Sequence, residues 1–518
     1  MKQAAVLLIL TLIAALYFVS FIFPNATGAA NAHMLSLTSQ DESFQYPFLM
    51  RMLTPGNTLS ETLTHIISYH HYIYGYPFYV VSGLVSLPLR IIYGDQLSNH
   101  VQLHLTVLRQ MVSVLPMALT ILILVYLQTR FQSLWRSILL FLLLATLPGI
   151  VRQNISWWHP DALAILAAML VFFFLDRDHL RFGRNFYFAA IACGTSAGTK
   201  LIGFLFFLTI ASYLTIGLIQ KYLSVKKAFL SAILFIIVLV ATVVALNPLL
   251  MVPDKRAEII QTHLSHNESF RSGWENSDQY TRNPLTWLPV LKRWYGGIAF
   301  LAFALISLIA GTLSGPRRLH NLLILTWIVP YAIYLLTTIA VRPDHYWMPV
   351  ILPLVSGSLT FTEIQVNPPS INNKRAFLKA ALPIAFFVLS ILVTAGQTVL
   401  NLKQDIPLYI DALNQEKILT ACDSEPVNQP DGKVTSLDNE IWYLVMEYDT
   451  LQAPPVRKFF VRQGKDLENV KASPQQGRLV WACRNKALAE LRADKDARDY
   501  QLSHPATVVI GPNEVPLP

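Results

Sequence analysis

The sequence predicts a mainly α, polytopic membrane bundle of about eleven transmembrane helices, followed by a small α/β domain outside the membrane. Three observations predict it. The 518 residues are 53% hydrophobic and only 14% charged, with a mean hydropathy of +0.44, far from a soluble domain. Apolar runs long enough to cross a bilayer recur through the first 400 residues. After residue 400 the composition turns mixed, and short strand-like and helix-like stretches take over.

The first run, Ala4–Phe23, follows Lys2. It suits a ~20-residue span better than the shorter core of a signal peptide, although the Ala-rich stretch 25–32 offers a cleavage site for that competing reading. Later spans are expected at 103–127, 137–151, 161–175, 186–199, 201–219, 228–250, 296–313, 321–341, 348–362 and 377–400. The loops between them alternate in character. One set is short and basic, with Arg130 and Arg136; Arg177, Arg181 and Arg184; Lys221, Lys226 and Lys227; Arg317 and Arg318; and Lys374, Arg375 and Lys379. That set is expected in the cytoplasm. The other set, 24–102, 152–160, the turn at Lys200, 251–295, 342–347 and the tail, is expected outside.

Charge follows the same division. Residues 401–518 hold 14 Lys+Arg against 17 Asp+Glu, leaving 26 against 14 for residues 1–400. The basic excess therefore belongs to membrane loops, and no basic helix interleaved with aromatics points to nucleic acid. The three cysteines, Cys193, Cys422 and Cys483, have no zinc or redox spacing. An external tail permits a Cys422–Cys483 disulfide, with two reduced thiols as the plainer reading.

Within the first external loop (24–102), Leu59–Tyr74 and Val80–Tyr93 read as amphipathic helices along the interface. The loop 251–295, with Trp274, Trp287 and Trp294, reads as an interfacial lid. The tail is expected to place strands at 442–446 and 507–510 and a charged helix at 485–499.

Four polar clusters fall on the expected external side: Asp41-Glu42; Trp157-Trp158-His159-Pro160-Asp161; Gly198-Thr199-Lys200; and Arg342-Pro343-Asp344-His345-Tyr346-Trp347. Taken singly, each has a plain explanation. A lysine at a span end snorkels, an aspartate caps a helix, and Tyr and Trp line a membrane belt. Gathered on one side, they suit chemistry in which a base activates a hydroxyl and cations stabilise a departing phosphate.

These residues, in this order, resemble the GT-C superfamily of polyprenyl-phosphate-sugar-dependent glycosyltransferases, which includes protein O-mannosyltransferases and lipid A aminoarabinose transferases. Asp41-Glu42-Ser43-Phe44-Gln45-Tyr46, running on to Arg51, is similar to the acidic motif of that family's first external loop. Tyr74-Gly75-Tyr76-Pro77-Phe78-Tyr79 is similar to the Pro-aromatic segment that follows it. Arg109–Val114, Trp158–Leu163, Thr199-Lys200-Leu201 and the stretch 342–349 match later signatures. The resemblance covers residues 1–400 and leaves 401–518 as an appended soluble domain. One departure stands out. Aminoarabinose-transferase-like members carry an acidic-basic pair where this chain has Tyr74 and Gly75, and His70 and His71 are its candidate replacements.

The resemblance implies an inverting glycosyltransferase in a bacterial inner membrane. It would move a sugar from an undecaprenyl- or decaprenyl-type monophosphate to a hydroxyl of a glycan, lipid or protein. Asp41 is expected as general base, assisted or oriented by Glu42. Lys200, Arg342, His345 and Tyr346 are expected at the donor phosphate. His159, Asp161, Arg51, His71 and Tyr76 are expected around the sugar and acceptor. No cofactor is expected, with an Asp41–Glu42–Asp161 metal site as the less favoured alternative. The rival reading is a transporter or lipid flippase. Its polar site would lie near the bilayer midplane, with internal repeats, and no repeat is visible here.

Overall fold

The structure, a computed structural model, describes residues 2–30, 35, 39–69, 71–272, 284–340, 344–363, 374–420, 442–449, 456–463, 478–483, 490, 493, 497 and 508–510. Cys422 and the pairing expected of it, Trp274, His70, Arg342 and most of 485–499 lie outside these residues. The chain divides into two compact units, Met1–Trp274 with Tyr280–Ile410, and Glu275–Gln279 with Asp411–Pro518.

The first unit is a helical bundle. Among the described residues, eight helices are long and apolar enough to cross a membrane. They number up to nine if the pair Leu134–Ala145 and Pro148–Asn154, bent by 66°, counts as one span. Three expected spans are helical but fall short of that test. Asp161–Asp178 carries Asp161, Asp176, Arg177 and Asp178; Arg184–Lys200 has 17 residues; and Met348–Ser356 continues as a 3₁₀ turn to Glu363. All three are packed deep among their neighbours, so protein rather than lipid faces most of their side chains.

The stretch Val80–Tyr93, expected to lie along the interface, belongs to the helix Tyr76–Tyr93, which with its 3₁₀ extension to Asn99 is also long and apolar enough to cross a membrane. Two of its buried serines bond back into the helix. Ser82 donates to Phe78 O (2.7 Å), and the Ser86 hydroxyl bonds Ser82 O and His104 Nε2 (both 2.7 Å). Serines that bond back into their own helix carry little cost in an apolar setting. Trp287 and Trp294 are also placed differently from expectation. Both are buried in the main hydrophobic core rather than ranged along an interface.

Close backbone approach holds the centre together. A Cβ on Gly194 would stand 2.7 Å from Leu239 O, so glycine lets Arg184–Lys200 pack against Val225–Leu246. A Cβ on Gly75 would collide with the Gly198 carbonyl oxygen. The glycine instead donates its N–H to Thr199 O at 3.0 Å. That contact seats the segment carrying Tyr74 against the end of the helix that carries Lys200.

The second unit contains a four-stranded sheet, β1 (Trp442–Asp449), β2 (Val456–Gln463), β3 (Arg478–Cys483) and β4 (Val508–Ile510), in the order β3-β1-β2-β4. β1 pairs antiparallel with β2, from Trp442 opposite Gln463 to Asp449 opposite Val456. It also pairs antiparallel with β3, with a shift at Leu444/Val445, while β4 joins β2 in parallel. The strands expected near 442 and 507 are β1 and β4.

Candidate active site

Two antiparallel neighbours bring the first pair of groups together. Asp161 opens the helix Asp161–Asp178 and Lys200 closes Arg184–Lys200. An acid at a helix N-terminus and a base at a C-terminus each complement the helix dipole. Because the two ends are adjacent, Lys200 Nζ forms an ion pair with Asp161 Oδ1. The other carboxylate oxygen lies 3.2 Å from His159 Nδ1 and 3.7 Å from His345 Nε2. His159 Nε2 is 2.7 Å from the Tyr74 hydroxyl. Aromatic faces frame the group: Trp157 stacks on His159 at 4.2 Å, and Lys200 Nζ lies 5.2 Å from the centre of the Tyr346 ring.

The adjacent acids Asp41 and Glu42 separate completely. Both sit in the first turn of helix Gln40–Met52, where Ser39 Oγ accepts the Glu42 N–H at 3.4 Å. Successive residues on a helix point about 100° apart, so the two carboxylates leave in different directions. Glu42 turns inward. It accepts from Arg109 Nε (2.8 Å), Arg109 Nη2 (2.5 Å) and the Trp158 N–H (2.5 Å), and both members of the ion pair are 0% exposed. Arg109 also donates to Asn25 O and Thr27 O, both at 2.8 Å. It emerges from a π-helical turn, Arg109–Val114, inside the helical run Val101–Thr129. Glu42 thus anchors its helix to three other segments and orients Asp41 only through the helix they share.

Asp41 turns the other way. Among the described residues it makes no hydrogen bond or ion pair, and its charge acts on His71, Tyr74 and Tyr346. Tyr74 and Tyr346 also feel Asp161, so the two carboxylates flank the same pair of tyrosines. His71 stacks on Tyr74 with ring centres 4.5 Å apart. Burial lowers its pKa to about 4, against the opposing pull of Asp41. His345 is also held well below the usual histidine value by burial, against the pull of Asp161.

The structure thus brings Asp41, His71, His159, Asp161, Lys200, His345 and Tyr346 into one neighbourhood. Besides Glu42, two expected residues among those described stay out of it. Tyr76 donates its hydroxyl to Ile66 O at 2.9 Å, and its N–H is taken by Asn247 Oδ1 at 2.9 Å. Arg51 is exposed in the last turn of the Asp41 helix, ten residues and roughly 15 Å farther along. His159, only 2% exposed, lies between the Tyr74 hydroxyl and the Asp161 carboxylate. The Asp41–Glu42–Asp161 metal alternative is not assembled. Glu42 is committed to Arg109 and Asp161 to Lys200, and no metal-holding cluster occurs among the described residues.

Two adjoining cavities, of about 220 and about 410 Å³, meet at Lys200. The smaller has Asp161, His345 and Tyr346 at its polar end and Ile165, Leu335 and Ile339 along its walls. Both are covered by the helix Pro253–Ser272, which contributes His263 and Asn267 to each and His266 to the smaller. Sequence reasoning missed these three residues. The signal was present as two histidines three positions apart, one helical turn, inside a segment read only as a polar loop. Burial lowers the His266 pKa to about 4, with Lys200 acting in the same direction.

No protein-family model matches the chain, and no curated protein matches it in sequence. Among solved structures, it is similar to ArnT from Cupriavidus metallidurans bound to undecaprenyl phosphate. The identity is 12%, over 80% of this chain and 78% of that one, with a TM-score of 0.47. It is also similar to the Archaeoglobus fulgidus oligosaccharyltransferase in its apo form (14% identity, TM-score 0.43) and to AglB from the same organism in complex with an inhibitory peptide and a dolichol-phosphate (11% identity, TM-score 0.42). These last two matches cover 77% and 78% of this chain, and the chain spans 56% of each archaeal structure.

Proposed function

We propose that this protein is a membrane-embedded glycosyltransferase of GT-C type. It transfers a sugar from a polyprenyl monophosphate to a hydroxyl acceptor at the extracytoplasmic face of a bacterial inner membrane. One observation carries the reading: an apolar cavity ends at a lysine, and a carboxylate with no partner among the described residues lies close by. Such a cavity suits a prenyl chain, and its polar end suits the phosphate. The Lys200 ammonium has three donors, of which Asp161 occupies one, so the others remain for phosphate oxygens.

In this mechanism Asp41 takes the proton of the acceptor hydroxyl. The acceptor oxygen attacks the anomeric carbon from the face opposite the phosphate, so configuration inverts. The bond from anomeric carbon to phosphate oxygen breaks, and its electron pair leaves with the lipid phosphate. Lys200 compensates the charge that develops there. His345 and Tyr346 shape the end of the cavity, and Arg342 is proposed as a second cation. Asp161 and His159 hold Lys200 in position.

The test is sugar transfer in proteoliposomes supplied with radiolabelled polyprenyl-phosphate sugars and an envelope-glycan acceptor fraction. Loss of a general base costs ~10²–10⁴ in rate, and Asp41→Asn is expected to fall in that range while inserting normally. Full activity in Asp41→Asn removes the base assignment. Sugar-independent movement of the lipid between leaflets, without transfer, favours the flippase.

A further inference from the structure

A second polar cluster is buried at the other end of the bundle. Helix Asp161–Asp178 links the two: Asp176 lies 15 residues beyond Asp161, roughly 22 Å at helical rise. Here Arg130 pairs with Asp176, and Arg136 bonds Thr362 O and lies 3.7 Å from Glu363 Oε1. Arg317, just ahead of helix Arg318–Thr338, is within electrostatic reach of Arg130, Glu363 and Asp176. His320, in the first turn of that helix and only 4% exposed, is within electrostatic reach of Asp176, Arg130 and Arg317.

Several of its groups carry unpaired atoms. Among the described residues, buried atoms with no hydrogen-bond partner include Arg136 Nε, Arg317 Nε, both ring nitrogens of His320 and Asn321 Nδ2, together with Asp176 Oδ2 and Glu363 Oε2. A buried polar atom left unpaired costs ~1–3 kcal/mol, so a ligand that pairs several of these atoms at once is favoured here. The first turn of Arg318–Thr338 adds N–H groups that no side chain caps. Three guanidinium groups against two carboxylates leave the cluster at +1 with His320 neutral. Yet open positions of both signs remain, which a simple anion cannot fill.

We propose that this cluster binds a phosphodiester headgroup carrying an N–H donor, the chemistry of a phosphoethanolamine lipid. Arg317, His320 and the open helix turn take the phosphate oxygens. The free oxygens of Asp176 and Glu363 take the ammonium. Arg136, whose side chain is 23% exposed, marks the side from which a lipid of that leaflet enters. The proposal is independent of the sugar-transfer reading.

The experiment measures the thermal-unfolding midpoint of the purified full-length protein in detergent. It is run with dioctanoyl-phosphatidylethanolamine, dioctanoyl-phosphatidylcholine or inorganic phosphate, for wild type, Arg317→Gln and Glu363→Gln. In the wild type the ethanolamine lipid is expected to raise the midpoint by several degrees, with choline lipid and phosphate giving less. Arg317→Gln is expected to lose the ethanolamine-lipid shift. Glu363→Gln is expected to keep a lipid shift but respond equally to ethanolamine and choline. Equal shifts by both lipids in the wild type overturn the proposal, as does an undiminished shift in Arg317→Gln. Inorganic phosphate matching the lipid reassigns the site to free phosphate and also overturns it. If Arg317→Gln does not fold, Glu363→Gln decides: a retained ethanolamine preference refutes the assignment.

Discussion

Replacing Glu42 with Gln separates an anchoring carboxylate from a catalytic one. Glu42 and Arg109 are both fully buried, and the carboxylate accepts two bonds from the guanidinium and one from the Trp158 N–H. Removing one partner of a buried pair typically costs ~3–5 kcal/mol, because the remaining charge stays buried. Gln keeps one acceptor oxygen, and Arg109 keeps its bonds to Asn25 O and Thr27 O, so the low end of about 3 kcal/mol is expected here. At about 1.4 kcal/mol per tenfold, that is roughly a hundredfold shift in the unfolding equilibrium. The assay is denaturant-induced unfolding of the detergent-purified protein, followed by tryptophan fluorescence, with sugar transfer measured on the folded fraction. Lowered stability with substantial activity per folded molecule supports the anchor. Wild-type stability with transfer abolished would refute it and return Glu42 to the chemistry.

Three other changes probe the same neighbourhood. Lys200→Met is expected to reduce transfer by ~10²–10³, the range for losing one donor to a developing oxyanion, and the loss should appear in use of the lipid donor; unchanged kinetics would move the phosphate elsewhere. Tyr74→Phe deletes only the hydroxyl that meets His159 Nε2, so a raised donor KM with packing intact would reveal His159 as a positioning residue, whereas unaltered kinetics would leave it purely structural. His71 and His266 are lowered by burial to about 4 from an ordinary value of 6.5. Between those values the unfolded chain binds protons that the folded chain does not, so stability should fall as pH drops from about 6.5 to about 4. His71→Asn should flatten that slope in a pH series of unfolding midpoints, and an identical slope would contradict the burial argument.

The sequence by itself determined the helical membrane class and the arrangement of loops into two sets. Hydropathy reports what a span needs from lipid, and Lys and Arg spacing reports which ends go together. The structure agrees where those forces act alone: the ends carrying Asp41, His159, Lys200 and His345 meet, and so do those carrying Arg130, Arg136 and Arg317. Hydropathy could not show that the helices beginning at Asp161 and Met348 turn most of their side chains to protein neighbours rather than to lipid. Nor does it report how the serines of Tyr76–Tyr93 are satisfied by bonds back into their own helix.

Only tertiary structure could divide the roles of Asp41 and Glu42. Two adjacent acids look alike in a sequence, and what separates them is a partner, Arg109, 67 residues away. The same holds for the cavity wall. His263 and His266 gain a place in the site only because their helix folds over Lys200, a contact across more than sixty positions that no local pattern encodes. Local forces choose helices and their ends; which side chains face one another across the bundle is decided by packing.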